Sequence, residues 1–250
     1  MPRWILGLSA LTAAAVAAYR FGYAPWRRSW LADPDESSRP LPGDELVPDA
    51  DYNETMAITI DAPAERIWPW LLQMGYGRGG WYSYDSIDVL GHSAQEVLPE
   101  LQALEVGAMV PFAPGMGFRV DVLVPGHALV LYGDDQVAQA PSQADGSDGS
   151  NDPGPGLKLA GLLSDANMRS FTVSWAFVLE PVDGMRTRLL ERFRTRSTPG
   201  PATVIVRPLV DVGHFLMTRK QLLGIRERAE TSPPRAAVAS AAPTAPVPIA

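Results

Sequence analysis

From Tyr52 onward the chain runs through successive stretches in which apolar and polar residues alternate. After Thr203 it switches to one long stripe of apolar residues at helical spacing. That switch constrains the fold more than any other feature. Alternation at period two makes strands with one buried face, and the later stripe makes an amphipathic helix. Several strands and one dominant helix must therefore cover each other's apolar sides. In the first strand Tyr52, Met56, Ile58 and Ile60 alternate with Asn53, Thr55, Ala57 and Thr59. Further strands are predicted at 106–112, 117–124, 127–133, 171–180 and 185–196. The turn pairs Pro114-Gly115, Pro125-Gly126 and Asp183-Gly184 separate them, which implies consecutive hairpins. Phe118, Val120, Val122 and Val124 are expected on one buried face, as are Phe171, Val173, Trp175, Phe177 and Leu179.

Two helices complete the pattern. After the first strand, Asp61 is placed to cap a helix with Pro63 near its first turn. Ile67, Trp68, Leu71 and Leu72 form one side, and Pro69 should keep the helix short or bent. The long helix is predicted over 203–230, with Leu209, Val212, Phe215, Leu216, Leu222 and Leu223 opposite Arg219, Lys220, Arg226 and Arg228. Pro208 should distort its beginning. The expected fold class is α+β: a curved antiparallel sheet wrapped around a long C-terminal helix, preceded by an N-terminal hydrophobic helix.

The flanks look unlike core. Trp4 to Tyr19 is an uncharged run with Arg3 before it and Arg20, Arg27 and Arg28 after it. Residues 1–26 are therefore expected to be a membrane anchor or signal segment. Trp4 to Tyr23 as a helix would span about 30 Å, the thickness of a bilayer core. The arginine excess after the run puts the folded domain on the cytoplasmic side by the positive-inside rule; export after signal cleavage is the alternative. Residues 27–51, rich in proline and acids from 33 on, read as a linker, 134–156 as a disordered insertion, and 231–250 as a disordered Pro/Ala tail. One domain remains, 52–230. A net charge of −7 excludes a nucleic-acid partner, while three histidines and no cysteine argue against a structural metal site. No cofactor is expected.

The order strand, short helices, antiparallel strands, long helix, together with ITIDAPAERIWPWLLQMGYGRGGWYSYD, SWAFVLEP and LLGIRERAE, resembles the START-like (SRPBCC, helix-grip) superfamily, in its polyketide cyclase/dehydrase and lipid-transport branch. The resemblance covers 52–230 apart from the insertion. It implies a deep cavity between sheet and long helix that takes apolar or aromatic molecules, and no catalytic motif common to the family.

Candidate site residues follow from position and type. Trp81-Tyr82-Ser83-Tyr84-Asp85 comes just after Gly75, Gly77, Gly79 and Gly80. It either lines a cavity mouth or wedges the short helices against the sheet. The glycines lack the spacing and lysine of a phosphate loop. Asp85 and Asp88, with His92 four residues beyond Asp88, either hold a metal or share a proton, or form a solvated or helix-capping face. In MRTRLLERFRTR, Arg186, Arg188, Arg192, Arg194 and Arg196 fall on one strand face, while Leu189, Glu191 and Phe193 fall on the other. Glu191 is therefore a carboxyl on an apolar side. It is either a desolvated acid/base or the partner of an arginine such as Arg78 or Arg119. The arginine face reads as the wet side of the sheet, its cations meeting acids on neighbouring strands. His127 and His214 read as structural.

The expected ligand contacts are Trp81, Tyr82, Tyr84, Phe118, Trp175 and Glu191. The leading expectation is binding or transfer of a hydrophobic small molecule or lipid beside a membrane reached through residues 4–23. The alternatives are a cyclase- or dehydratase-like enzyme using Glu191, Asp85 or Tyr84 for proton transfer, and a structural domain with a filled core.

Overall fold

The computed structural model describes residues 14, 16–85, 92–113, 115–135, 168–199 and 203–231. Helix α1 (Ala24–Arg28) follows a π-helical turn at Ala18–Tyr23, and α2 (Pro34–Ser38) follows it. Then come β1 (Tyr52–Ile60), α3 (Ala64–Leu72), β2 (Met109–Ala113), β3 (Met116–Val124), β4 (Ala128–Asp134), β5 (Met168–Pro181), β6 (Thr187–Pro199) and α4 (Thr203–Thr231). The six strands form one sheet in the order β1-β6-β5-β4-β3-β2, antiparallel throughout. Consecutive hairpins generate β2 to β6 in sequence, and β1 closes beside β6. This is the α+β, helix-grip arrangement: an antiparallel sheet with a long C-terminal helix against its inner face.

The inner face carries Met56, Ile58, Ile60, Phe118, Val120, Leu129, Leu131, Val173, Trp175, Phe177, Leu179 and Leu189 in one core with α3 and α4. The expected face of β3 holds only to Val120. The register shifts between Val120 and Val122, and a bulge reverses which side chains point inward. Leu123 therefore packs on the core while Val124 is exposed.

The stripe expected on α4 is met in part: Phe215 and Leu222 are buried and Leu223 packs on the core, but Leu209 and Leu216 do not join them. The buried seam runs through Asp211, Phe215, Thr218, Leu222, Ile225 and Ala229, spaced alternately by four and three, the repeat of a helix seam, with Gln221 buried beside it. Polar Asp211 and Thr218 conceal this seam from hydropathy. Leu209 and Leu216 instead lie on an outward side and are exposed. Phe215, Leu222 and Ile225 contribute about 2 kcal/mol each by burial. Gly224 sits where α4 crosses the backbone of Tyr82, so closely that a Cβ there would strike the Tyr82 carbonyl oxygen.

Asp61 does not cap α3. The helix begins at Ala64 with Pro63 at the N-cap and no side-chain cap bond, so Asp61 lies too far upstream; its backbone N–H donates to Glu230 Oε1 at 3.0 Å. Pro69 is accommodated inside this nine-residue helix.

The stretch expected as a linker is folded onto the domain. Glu36 and Asp33 form a capping box on α2, and residues 31–48 run along the outer face of β5 and β6. There Leu41 packs with Ala57, Val178 and Leu190. The arginine face is thus not simply the wet side. Arg188 donates to both oxygens of Glu36 at 2.7 and 2.8 Å. Arg192, fully covered, donates to Asp44 Oδ2 at 2.7 Å, to the carbonyls of Arg39 and Glu36, and to Thr55 Oγ1. Arg194 donates to the carbonyls of Val47 and Pro48. These guanidinium forks satisfy the carbonyls of an irregular segment that has few backbone partners of its own.

Residues 1–13, the greater part of the expected anchor, lie outside the described residues, as do Asp88, 136–156 and 232–250. No helix among the described residues is long and apolar enough to cross a membrane, so an N-terminal spanning helix is not supported. The described part of that segment packs on the domain instead. The Trp30 carbonyl accepts the Ala57 N–H at 3.2 Å, covering part of the free edge of β1. Tyr23, Trp26 and Trp30 surround Phe215 of α4 at ring distances of 6.4, 5.6 and 6.4 Å.

Candidate functional site

Glu191 lies on β6 opposite Met56 of β1 and Phe177 of β5. Strand alternation sends it inward with Leu189 and Phe193, and only 1% of its surface is exposed. Trp175, one inward step along β5, donates its indole N–H to Glu191 Oε1 at 2.6 Å. Oε2 has no hydrogen-bond partner among the described residues. Neither Arg78 nor Arg119 reaches it: Arg78 donates to the carbonyls of Met74 and Leu72, and Arg119 to Asp121. Burial pushes the Glu191 carboxyl up to about 8, against the opposing pull of the Trp175 N–H and His214, with Glu54 adding to the rise. Near pH 7 this side chain is therefore mostly a neutral carboxylic acid. Its second oxygen is a proton donor without an acceptor.

A charged cluster sits beside it. Glu54 faces inward on β1 opposite Phe193. Its Oε2 accepts from the Tyr52 hydroxyl at 2.6 Å and from Arg27 Nη1 at 2.8 Å. Its Oε1 lies 3.2 Å from Nε2 of His214 on α4, an ion-pair contact rather than an aligned hydrogen bond. Arg27, with no exposed surface, also donates to the Asp211 carbonyl at 3.1 Å and pairs with the Asp211 carboxylate at 3.1 Å. Burial works to raise the Glu54 carboxyl, but His214, Tyr52 and Arg27 outweigh it and hold it below the usual range. Burial likewise disfavours the His214 cation, and the Glu54 carboxylate leads in overcoming this and raising it. Arg27 and His214 thus face the carboxylates of Glu54 and Asp211. Among the described residues no cation pairs with Glu191, so its burial goes uncompensated and the carboxyl keeps its proton.

Aromatic rings enclose these groups. Trp81 stacks on Trp175 at 5.1 Å and 24°. Phe118, Phe177 and Phe193 stand around Trp175 at 5.8, 5.1 and 6.0 Å, and His214 lies over Phe193 at 4.6 Å. The wall is incomplete at Phe193 and at His214, whose side chain keeps 25% of its exposure.

Of the expected contacts, Trp81, Phe118, Trp175 and Glu191 come together here. Tyr82, Tyr84 and Asp85 do not. Tyr82 is a core residue: its hydroxyl donates to the Trp70 carbonyl at 3.0 Å, and its backbone holds a φ of +58° against α4. Tyr84 and Asp85 line a separate polar cleft of about 510 Å³ with Gln95, Lys220, Glu227 and Arg228. Asp85 accepts from the backbone N–H and hydroxyl of Ser93, at 3.2 and 2.8 Å, and lies 3.6 Å from exposed His92. Glu191, Asp85 and Tyr84 are therefore not one catalytic set. Among the described residues no cluster has the makings of a metal site. His214, read as structural, Arg27, read as a flanking charge, and Glu54 and Asp211, given no role, are the members that the sequence did not reveal. Their partners lie on other elements, and no local spacing announces them.

No family model matches the chain, and no curated protein matches its sequence significantly. Solved structures align with it at low similarity. A hypothetical protein from Helicobacter pylori is 11% identical with a TM-score of 0.43, covering 76% of this chain and 95% of that one. A conserved protein from Geobacillus kaustophilus is 12% identical at 0.39, over 71% and 95%. An aromatase/cyclase from Streptomyces sp. R1128 is 13% identical at 0.39, over 72% and 93%. Similarity at this level carries no argument about ligand or reaction.

Proposed function

We propose that the domain binds an apolar, aromatic-sized molecule bearing a carbonyl or similar acceptor in the space between sheet and α4, with Glu191 donating a hydrogen bond to that acceptor. One observation carries the reading: a fully buried, neutral carboxyl has an unpartnered oxygen among aromatic side chains. A buried donor left unmade costs free energy, and a ligand acceptor would recover it. The ring faces of Trp175 and Phe193 supply apolar contact, and the partly open His214 and Phe193 mark the side from which a ligand enters.

A matched ligand pair tests this. Benzophenone and diphenylmethane differ in their carbonyl, and their binding to the purified protein is measured by quenching of tryptophan fluorescence. The ketone should bind about tenfold tighter, the value of one buried hydrogen bond. Glu191→Met should abolish that preference, while Tyr84→Phe and Asp85→Asn leave it intact. Equal binding of the two compounds by the wild-type protein would sink the proposal.

A second reading, proton-transfer catalysis on a bound carbonyl compound, is favoured by the Glu191 acid sharing this aromatic enclosure with the imidazole of His214, two groups of the kind that give and take protons.

A further inference from the structure

Many cations of this protein are partnered: Arg27, Arg39, Arg188, Arg192 and Arg194, among others, meet carboxylates, and Arg78 meets backbone carbonyls. Among the described residues Arg20, Arg28, Arg207, Arg219, Lys220 and Arg226 have no carboxylate partner. Those six sit on the N-terminal helical segment and on α4. Arg28 and Arg207 flank the Tyr52 ring, 4.8 and 5.8 Å from its centre, and Arg219 lies 5.3 Å from the centre of Trp30. Trp26 and Trp30 in turn pack on Phe215, so the two segments form one ridge. On that ridge Phe21 is 77% exposed, Trp26 54%, Leu209 66% and Leu216 45%. A chain with net charge −7 has thus left cations without a carboxylate partner among the described residues, and bare apolar side chains, on the same two packed segments. None of this is used by the site around Glu191.

We propose that this ridge docks on the surface of an anionic lipid bilayer, lying along it without spanning it. Phe21, Trp26, Leu209 and Leu216 would enter the headgroup and acyl boundary, and the arginines would reach the phosphates along their apolar stems. Three features fit a bilayer. Tyr19, Tyr23 and Trp26 form a row with ring spacings of 5.9 and 5.8 Å, and tyrosine and tryptophan favour the membrane–water interface. The cations repel one another and want a diffuse negative surface. The uncharged sequence from Trp4 to Ala13 leads into the same ridge.

The test is cosedimentation of the full chain with vesicles of phosphatidylcholine alone and of phosphatidylcholine with phosphatidylserine, at low and high salt. The protein should bind the mixed vesicles and be released by high salt. Arg207→Gln and Arg219→Gln should each weaken binding about fivefold, the factor equivalent to ~1 kcal/mol per basic residue at an anionic surface, and Leu209→Ser with Leu216→Ser should weaken it further. Arg219, Leu209 and Leu216 are exposed and Arg207 is half-buried, so an unchanged melting temperature verifies folding in each variant. Equal binding to both vesicle types overturns the proposal, as does full binding by the arginine variants, which would assign the attachment to the uncharged N-terminal run alone. Absence of binding to either vesicle also overturns it and leaves the ridge to an acidic protein.

Discussion

Replacing Glu191 by glutamine should change how stability depends on pH, and the structure gives the size. The carboxyl ionises at an ordinary 4.5 in the unfolded chain and is pushed up to about 8 in the fold. Between those values the folded state holds a proton that the unfolded state has released, so stability falls as pH rises. At ~1.4 kcal/mol per pH unit, the loss over that window is about 5 kcal/mol; below pH 4.5 and above pH 8 this contribution is flat. His214 acts in the same direction. Its folded value is raised above the ordinary 6.5, so its contribution is complete below pH 6.5 and disappears as pH rises through the folded value. Glu191→Gln keeps an acceptor for the Trp175 indole but cannot ionise. Urea unfolding followed by tryptophan fluorescence at a series of pH values should show a steep decline for the wild-type protein from pH 5 to 8. The variant should show only the shallower decline due to His214, and should be the more stable of the two at pH 9. Parallel curves for the two proteins would refute the assignment of a neutral buried acid.

Two other substitutions probe the supports of the site. Arg27→Met strands the carboxylates of Glu54 and Asp211 in the interior and should cost about 3–5 kcal/mol in urea unfolding. Arg27→Lys should recover only part of this, since one ammonium cannot reproduce the fork that reaches Tyr52, Glu54 and Asp211 together; a full recovery would contradict the geometry. Gly224→Ala gains helix propensity but drives a methyl into the Tyr82 carbonyl, so it should lower stability by about 1–3 kcal/mol, visible as a reduced melting temperature. A raised melting temperature would mean that the 81–84 backbone does not press on α4.

Much of the fold is determined by short-range pattern. Alternation from Tyr52 to Ile60 and from Phe171 to Leu179 fixes those strands and their buried faces, because side-chain direction along a strand depends only on parity. The same parity sends Glu191 inward with Leu189 and Phe193. Turn pairs set the hairpins. Tertiary structure decided the rest, wherever a residue's role depends on what arrives from elsewhere in the chain. The bulge after Val120 altered parity within β3. The seam of α4 passes through Asp211 and Thr218, whose burial makes sense only beside Arg27 and the sheet. Residues 31–48 lack an apolar period, yet they fold because Arg188, Arg192 and Arg194 satisfy their carbonyls and carboxylates. The acid at the centre of the site is legible from strand parity. Its protonation is not, because that follows from burial beneath residues of other elements, with Arg27 committed to Glu54 and Asp211 in contacts assembled from β1, α4 and the N-terminal segment.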